Sequence, residues 1–314
     1  MEFALMIEGQ EGVSWSDWTA LADAVEANGF DALFRSDHYV GLMGDETRGS
    51  LDAWATLNAL AAVTDRIRLG TLVSPVTFRH PSLLFKNAVT ADHVSGGRIE
   101  VGMGAGWNER EHEAYGFDFP ETDERYDLFE ESVEIVRRLL TEEEVSHDGP
   151  RFTLSEVKPL PRPVQDPPPL VIGGSGGPRS LSIAARFADE YNTLGASLDD
   201  VRDRRGRFVD AWEEAGRDGH PRFSVMVPVL VGGSDDEVRA RAEVLLDRLG
   251  RDADAGEFIE ERRDKWALGT PQQVADTIGQ LGDAGVDRVM LQHLVHTDLD
   301  SVSLIGEEVI PAVG

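Results

Sequence analysis

The chain has 314 residues, 41% of them hydrophobic, and no cysteine, which permits a large core and excludes a disulfide framework, a thiolate metal site and a cysteine nucleophile. Its formal charge is −28, and only Lys86, Lys158 and Lys265 among its 30 basic residues are lysines. No basic stripe awaits a polyanion, which argues against nucleic acid as a partner, and such self-repulsion is best tolerated where concentrated salt cuts the screening length to about 3 Å.

A halophilic, cytoplasmic protein is therefore expected. No apolar run reaches the length of about 18 residues that a membrane span requires, and the first residues do not read as a secretory signal. Along the chain, short β-type runs alternate with amphipathic segments, each pair taking about 30 residues. The runs 3–8, 32–36, 67–73, 99–103, 170–173, 191–194, 223–231 and 288–292 read as eight strands. Helical periodicity marks 15–28, 51–63, 83–94, 125–140, 179–188, 201–215, 236–249 and 271–284. Ser16 or Asp17 stands where a cap opens the first helix, Asn28-Gly29 where it stops, and Thr270-Pro271 where a late one starts. The stretch 143–169 departs from the rhythm: "EVSHDGPRFTL" reads as a hairpin around Asp148-Gly149, followed by a proline-rich run. The pattern predicts one (β/α)8 barrel (TIM barrel) over 1–314, with an insertion after the fourth βα unit and catalytic groups at the carboxyl ends of its strands.

Three motifs fall at such ends. "FRSDHYVG" places Asp37 and His38 after the second strand, where an imidazole can exchange a proton near neutral pH or the pair can simply close a turn. "GMGAGW", residues 102–107, ends the fourth strand with glycines that let a backbone approach a flat ligand or serve a bulge. "GGSGGP", residues 173–178, runs from a strand through glycines into a helix, an arrangement that converges free N–H groups on a phosphate, and Arg179 stands beside it. "NEREHEAYG", residues 108–116, offers one histidine among carboxylates; this is poor metal chemistry, and a solvated helix start is expected. No nucleophile-elbow sequence supports a serine triad.

Taken together, "SDH", "RIRLGTLVSPVTFRHP", "SGGRIEVGMGAGWNEREHEAYGF", "ERYDLFEESVEIVRRLL" and "LVIGGSGG" make the chain resemble the luciferase-like monooxygenase superfamily, and within it the oxidoreductases that use coenzyme F-420. The resemblance runs in order over nearly the whole chain and implies a (β/α)8 barrel. It implies that His38 is catalytic and that Asp37 lies at the cofactor ring. It also implies a non-proline cis peptide at Leu72-Val73 with Thr71 and Ser74 beside it, and Gly104 and Gly106 passing along the cofactor. Glu111, Arg125 and Tyr126 match positions that contact flavin in FMN-using relatives, and Gly174, Ser175, Gly176 and Gly177 correspond to the phosphate loop. Ala105 stands where the deazaflavin sugar-phosphate dehydrogenases carry an acidic proton donor, which argues against glucose-6-phosphate as substrate. The implied activity is hydride transfer between coenzyme F-420 and a small-molecule substrate, in a homodimer. Its rivals are an FMN-dependent monooxygenase and a binding protein without turnover.

Overall fold

The computed structural model describes residues 1–313. Eight parallel strands close on themselves: β1 (Glu2–Ile7), β2 (Ala32–Arg35), β3 (Arg68–Thr71), β4 (Ile99–Gly104), β5 (Leu170–Gly173), β6 (Glu190–Leu194), β7 (Arg222–Val231) and β8 (Arg288–Gln292). Each pairs with the next, and β8 pairs with β1, so the eight-stranded barrel is closed. This is the (β/α)8 barrel that the periodicity predicts.

Alternation along the strands sorts side chains between two cores. Residues such as Leu5, Leu33, Leu69, Val101, Ile172 and Val289 point outward and pack under the helices. The inward set, Ala4, Met6, Ala32, Phe34, Leu72, Val171 and Met290, forms a separate apolar band inside the barrel. At the amino-terminal end of the strands this band rests on charge. Arg288 donates from both terminal nitrogens to Glu100 (2.9 and 2.6 Å) and reaches Glu190 at 2.5 Å, all three being fully buried. Burial opposes ionisation of Glu100, but Arg288 and Arg68 outweigh it and hold its pKa down to about 2. Glu190 goes the other way, raised by burial first and by its Glu100 neighbour.

Several boundaries depart from the sequence reading. The third strand stops at Thr71 and resumes only as Ser74–Pro75; between them the peptide Leu72-Val73 is cis, as the resemblance implies. Ser14, not Ser16 or Asp17, caps the first helix (Trp15–Ala27): its hydroxyl accepts from Asp17 N while the Asp17 carboxylate accepts from Ser14 N, which makes Asp17 the other half of a capping box. Both late periodic segments follow β7, as helices Asp235–Arg248 and Pro271–Asp283, with a short helix Ala255–Glu260 and strand Ala267–Gly269 between them. The helical run Leu299–Val313, which the sequence reading omits, closes the eighth unit.

The excursion after the fourth unit is built as expected. Val145–Asp148 pairs antiparallel with Thr153–Val157. Glu131 of the preceding helix, Thr122–Thr141, holds its turn by accepting from His147 Nε2 at 2.9 Å and Phe152 N at 3.0 Å. Among the described residues no helix is long and apolar enough to cross a membrane.

Candidate functional site at the carboxyl ends of the strands

β2 delivers its last residues to the barrel mouth. Past Arg35 the chain leaves the sheet, and Asp37 and His38 diverge. Arg79 takes both Asp37 oxygens, at 2.5 and 3.1 Å, and also reaches Asp52 at 2.9 Å. Asp37 is thus a buried anchor for the strand end, with its carboxylate already committed. His38 turns toward Glu111, whose Oε1 lies 2.7 Å from Nδ1 while Oε2 accepts from Tyr39 N at 3.0 Å.

This geometry fixes the imidazole. An ionised carboxylate can only accept, so Nδ1 carries a hydrogen and Nε2 is left to exchange a proton. Burial alone would lower the His38 pKa; the Glu111 hydrogen bond and charge, helped by Glu8 and Asp37, outweigh it and raise the pKa above 6.5. Trp107, 66% exposed, meets the imidazole edge-on at 5.7 Å.

Glu111 and His112 lie on the short helix Glu109–Tyr115, and both are buried, so the expected solvated helix start has one face turned into the protein. His112 is spent on structure: Nδ1 donates to Asn108 O at 2.6 Å, and Nε2 meets Thr77 Oγ1 at 2.7 Å. No cluster of metal-ligating side chains occurs among the described residues.

The third and fourth strand ends interlock. Thr71 Oγ1 donates to Gly102 O at 3.0 Å and accepts from Ser74 Oγ at 3.1 Å, and Trp54 Nε1 donates to Ser74 Oγ at 2.9 Å. Both hydroxyls are therefore spent on the wall. Leu72 turns into the apolar band, and Val73 lies over the ends of β4 and β5. A Cβ on Gly104 would meet Val73 Cγ2 at 2.5 Å, and one on Gly173 would meet Val73 Cγ1 at 2.9 Å. The glycines thus make room for Val73. Gly106 adopts a φ of +81°, in the left-handed region that glycine tolerates best.

Beyond β5, Gly174 N donates to Asn192 O at 3.0 Å and Gly176 N to the Tyr191 hydroxyl at 2.9 Å, while Ser175 is exposed. Two of the loop N–H groups expected to be free are thus engaged; Gly177 opens helix Pro178–Phe187 without any side-chain cap and Pro178 has no N–H, so the donors left at this helix end are those of Arg179 and Ser180. Arg179 binds Asp127 (2.5 Å) and lies over Tyr126, which ties the first turn of helix Thr122–Thr141 to this loop. Arg125 stacks on Phe119, and its Nε, like Asn108 Nδ2, is buried without a partner. The sequence-predicted residues therefore fall on one arc of the mouth, from β2 to β5.

The opposite arc was not anticipated. Glu8 follows β1, Ser36 follows β2 and Gln292 ends β8; two-residue alternation from Met6, Phe34 and Met290 was the signal that could have found them. Arg79, partner of Asp37, had no local signal at all. A cavity of about 230 Å³ lined by Val229, Arg241, His293 and Asp298 lies between β7, β8 and helix Asp235–Arg248 and contains none of the predicted site residues.

Comparison with known proteins agrees with this architecture. Over 309 residues the chain is 26% identical to an F-420-dependent glucose-6-phosphate dehydrogenase of Microbacterium testaceum, covering 91% of this chain and 90% of that one. It is likewise 26% identical over 322 residues to an FMNH2-dependent dimethylsulfone monooxygenase of Pseudomonas putida, covering 93% and 86%. The crystal structure of the monooxygenase RslO1 from Streptomyces bottropensis superposes with a TM-score of 0.85 at 25% identity, covering all of both chains. A family model described as luciferase-like monooxygenase matches residues 1–288. The chain belongs to the luciferase-like monooxygenase family.

Proposed function

We propose that the chain is an oxidoreductase that moves a hydride between coenzyme F-420 and a small organic substrate at the barrel mouth. The observation that carries this reading is the His38–Glu111 pair: a proton-exchanging imidazole held in one tautomer, its second nitrogen free, at the carboxyl end of a barrel strand.

The residues present fit such a cofactor. The uncapped amino end of helix Pro178–Phe187, reached through Gly174, Ser175, Gly176 and Gly177, suits a phosphate. The unpartnered Asn108 Nδ2 and Arg125 Nε offer donors near the fourth strand end, beside Gly104, Gly106 and Tyr126. When bound, a deazaflavin supplies the carbon that gives or takes the hydride. His38 exchanges a proton at Nε2 with the substrate atom next to the reacting carbon, and Glu111 orients the ring and offsets its charge. Asp37, through Arg79, positions the strand end.

The same mouth suits FMN, and the likeness to the Pseudomonas putida monooxygenase across 93% of the chain favours that as a second reading. Anaerobic mixing of the protein with reduced F-420 and a panel of small ketones, aldehydes and enones separates the two. Protein-dependent return of the oxidised cofactor is expected. No turnover of F-420, together with oxygen uptake in a parallel aerobic assay with reduced FMN, contradicts the proposal.

A further inference from the structure

Above the apolar band the barrel lining turns polar. Glu8, Ser36 and Gln292 continue the inward faces of β1, β2 and β8, and with Gln10 they form one directed chain. Gly9 N donates to Ser36 Oγ at 2.9 Å, Ser36 Oγ to Gln10 Oε1 at 2.5 Å, and Gln10 Nε2 to Glu8 Oε2 at 2.8 Å. From the other side Gln292 Nε2 donates to Glu8 Oε1 at 2.5 Å. Every donor leads to Glu8. Glu8 accepts on both oxygens, and each oxygen keeps a further lone-pair direction unused.

Burial divides the chain of groups. Gln10 and Ser36 are buried behind the mouth, whereas Glu8 and Gln292 are partly exposed in it. No arginine or lysine among the described residues forms an ion pair with Glu8. Arg35 turns to the outer face of β2, donating to Ser36 O and Leu51 O at 3.0 Å each and lying over Trp18. Withdrawing a carboxylate part-way from water without a direct ion pair is unfavourable, and two amides return only part of its solvation. What the arrangement leaves is a fixed, negatively charged acceptor at the catalytic end of the barrel. Its field reaches His38, whose own partner Glu111 is a second carboxylate.

We propose that Glu8 is the substrate-recognising carboxylate of the mouth, and that the substrate presents to it a hydroxyl or a protonated amine rather than a phosphate or carboxylate. An anionic group entering here meets two carboxylates, and the neighbouring Arg79 is already engaged by Asp37 and Asp52. This inference rests on the mouth being the substrate site of the proposed oxidoreductase.

Three matched probes test it: cyclohexanol, cyclohexylammonium and cyclohexanecarboxylate, each titrated into the full chain in molar KCl while the His38 ring resonance is followed by NMR. Saturable shifts are expected with the alcohol and the ammonium, each binding about tenfold or more tighter than the carboxylate. Glu8→Leu should abolish both preferences, and Glu8→Gln, which keeps an acceptor oxygen but no charge, should lose the ammonium and retain the alcohol. Equal binding of the carboxylate, no saturable shift with any probe, or unchanged affinities in Glu8→Leu overturns the assignment. F-420 binding, followed by cofactor fluorescence, should be the same in parent and Glu8→Leu. If the parent binds neither F-420 nor FMN, the functional reading fails while the probe result still judges Glu8.

Discussion

His38 is only partly exposed, and its proton is held more tightly than in water. Burial lowers the imidazole pKa, and the Glu111 carboxylate 2.7 Å away more than reverses that. The folded value therefore lies above the unfolded 6.5: the pair contributes stability that is fully present below about pH 6.5 and lost as pH rises through the folded pKa. An NMR titration should place His38 above 6.5 in the parent and lower in Glu111→Gln; no change in the variant would remove Glu111 as the cause. His38→Ala should slow hydride transfer by about tenfold or more while leaving cofactor affinity nearly intact, because a positioned proton donor acts mainly in the transition state. Stopped-flow oxidation of reduced F-420 checks this, and a parent-like rate would reduce the strand-two cluster to a turn. Asp37→Ala strands the Arg79 guanidinium with only Asp52, so its main effect should be lost stability, read as a lower denaturation midpoint.

At the level of elements, the packing between strand ends sets the shape of the mouth. A Cβ on Gly102 would collide with Thr71 O, a backbone atom that cannot swing aside. Gly102→Ala should therefore cost about 1–3 kcal/mol or more in chemical denaturation, whereas Gly279→Ala, which meets nothing within 4 Å, should not. The segment after β8 carries a different liability. Burial drives His293 and His296 down to about 4, so the stability they contribute is present above pH 6.5 and lost as pH falls toward 4. Replacing both with glutamine should flatten the acid limb of the stability curve between those values. Much of this level was legible in advance: strand spacing gave the barrel, and Asp148-Gly149 gave the hairpin. The interruption of the third strand was legible only through the family resemblance. The pairing of Asp37 with Arg79, 42 residues away, was not legible, because nothing local distinguishes a carboxylate that will be neutralised from one that stays open. Glu8, the last residue of the first strand run, shares the inward alternation of Met6, but that Gln292 would bond it depends on the closure of β8 onto β1, which no local pattern shows.

Across the whole molecule, charge is the dominant theme. Arg288 bridges Glu100 and Glu190 at the amino-terminal end of the strands, and Arg288→Leu should cost about 3–5 kcal/mol by removing the buried cation they share. On the surface the excess of −28 should make stability rise with KCl concentration, measured as the thermal midpoint from dilute to molar salt. The same salt conditions suit the measurement that bears most directly on the reading of the mouth: equilibrium titration of the purified protein with F-420 and with FMN, each followed by its own fluorescence. Saturable binding of F-420 is expected, with FMN bound at least about tenfold more weakly. Tighter binding of FMN, with F-420 failing to compete for it, would contradict that reading.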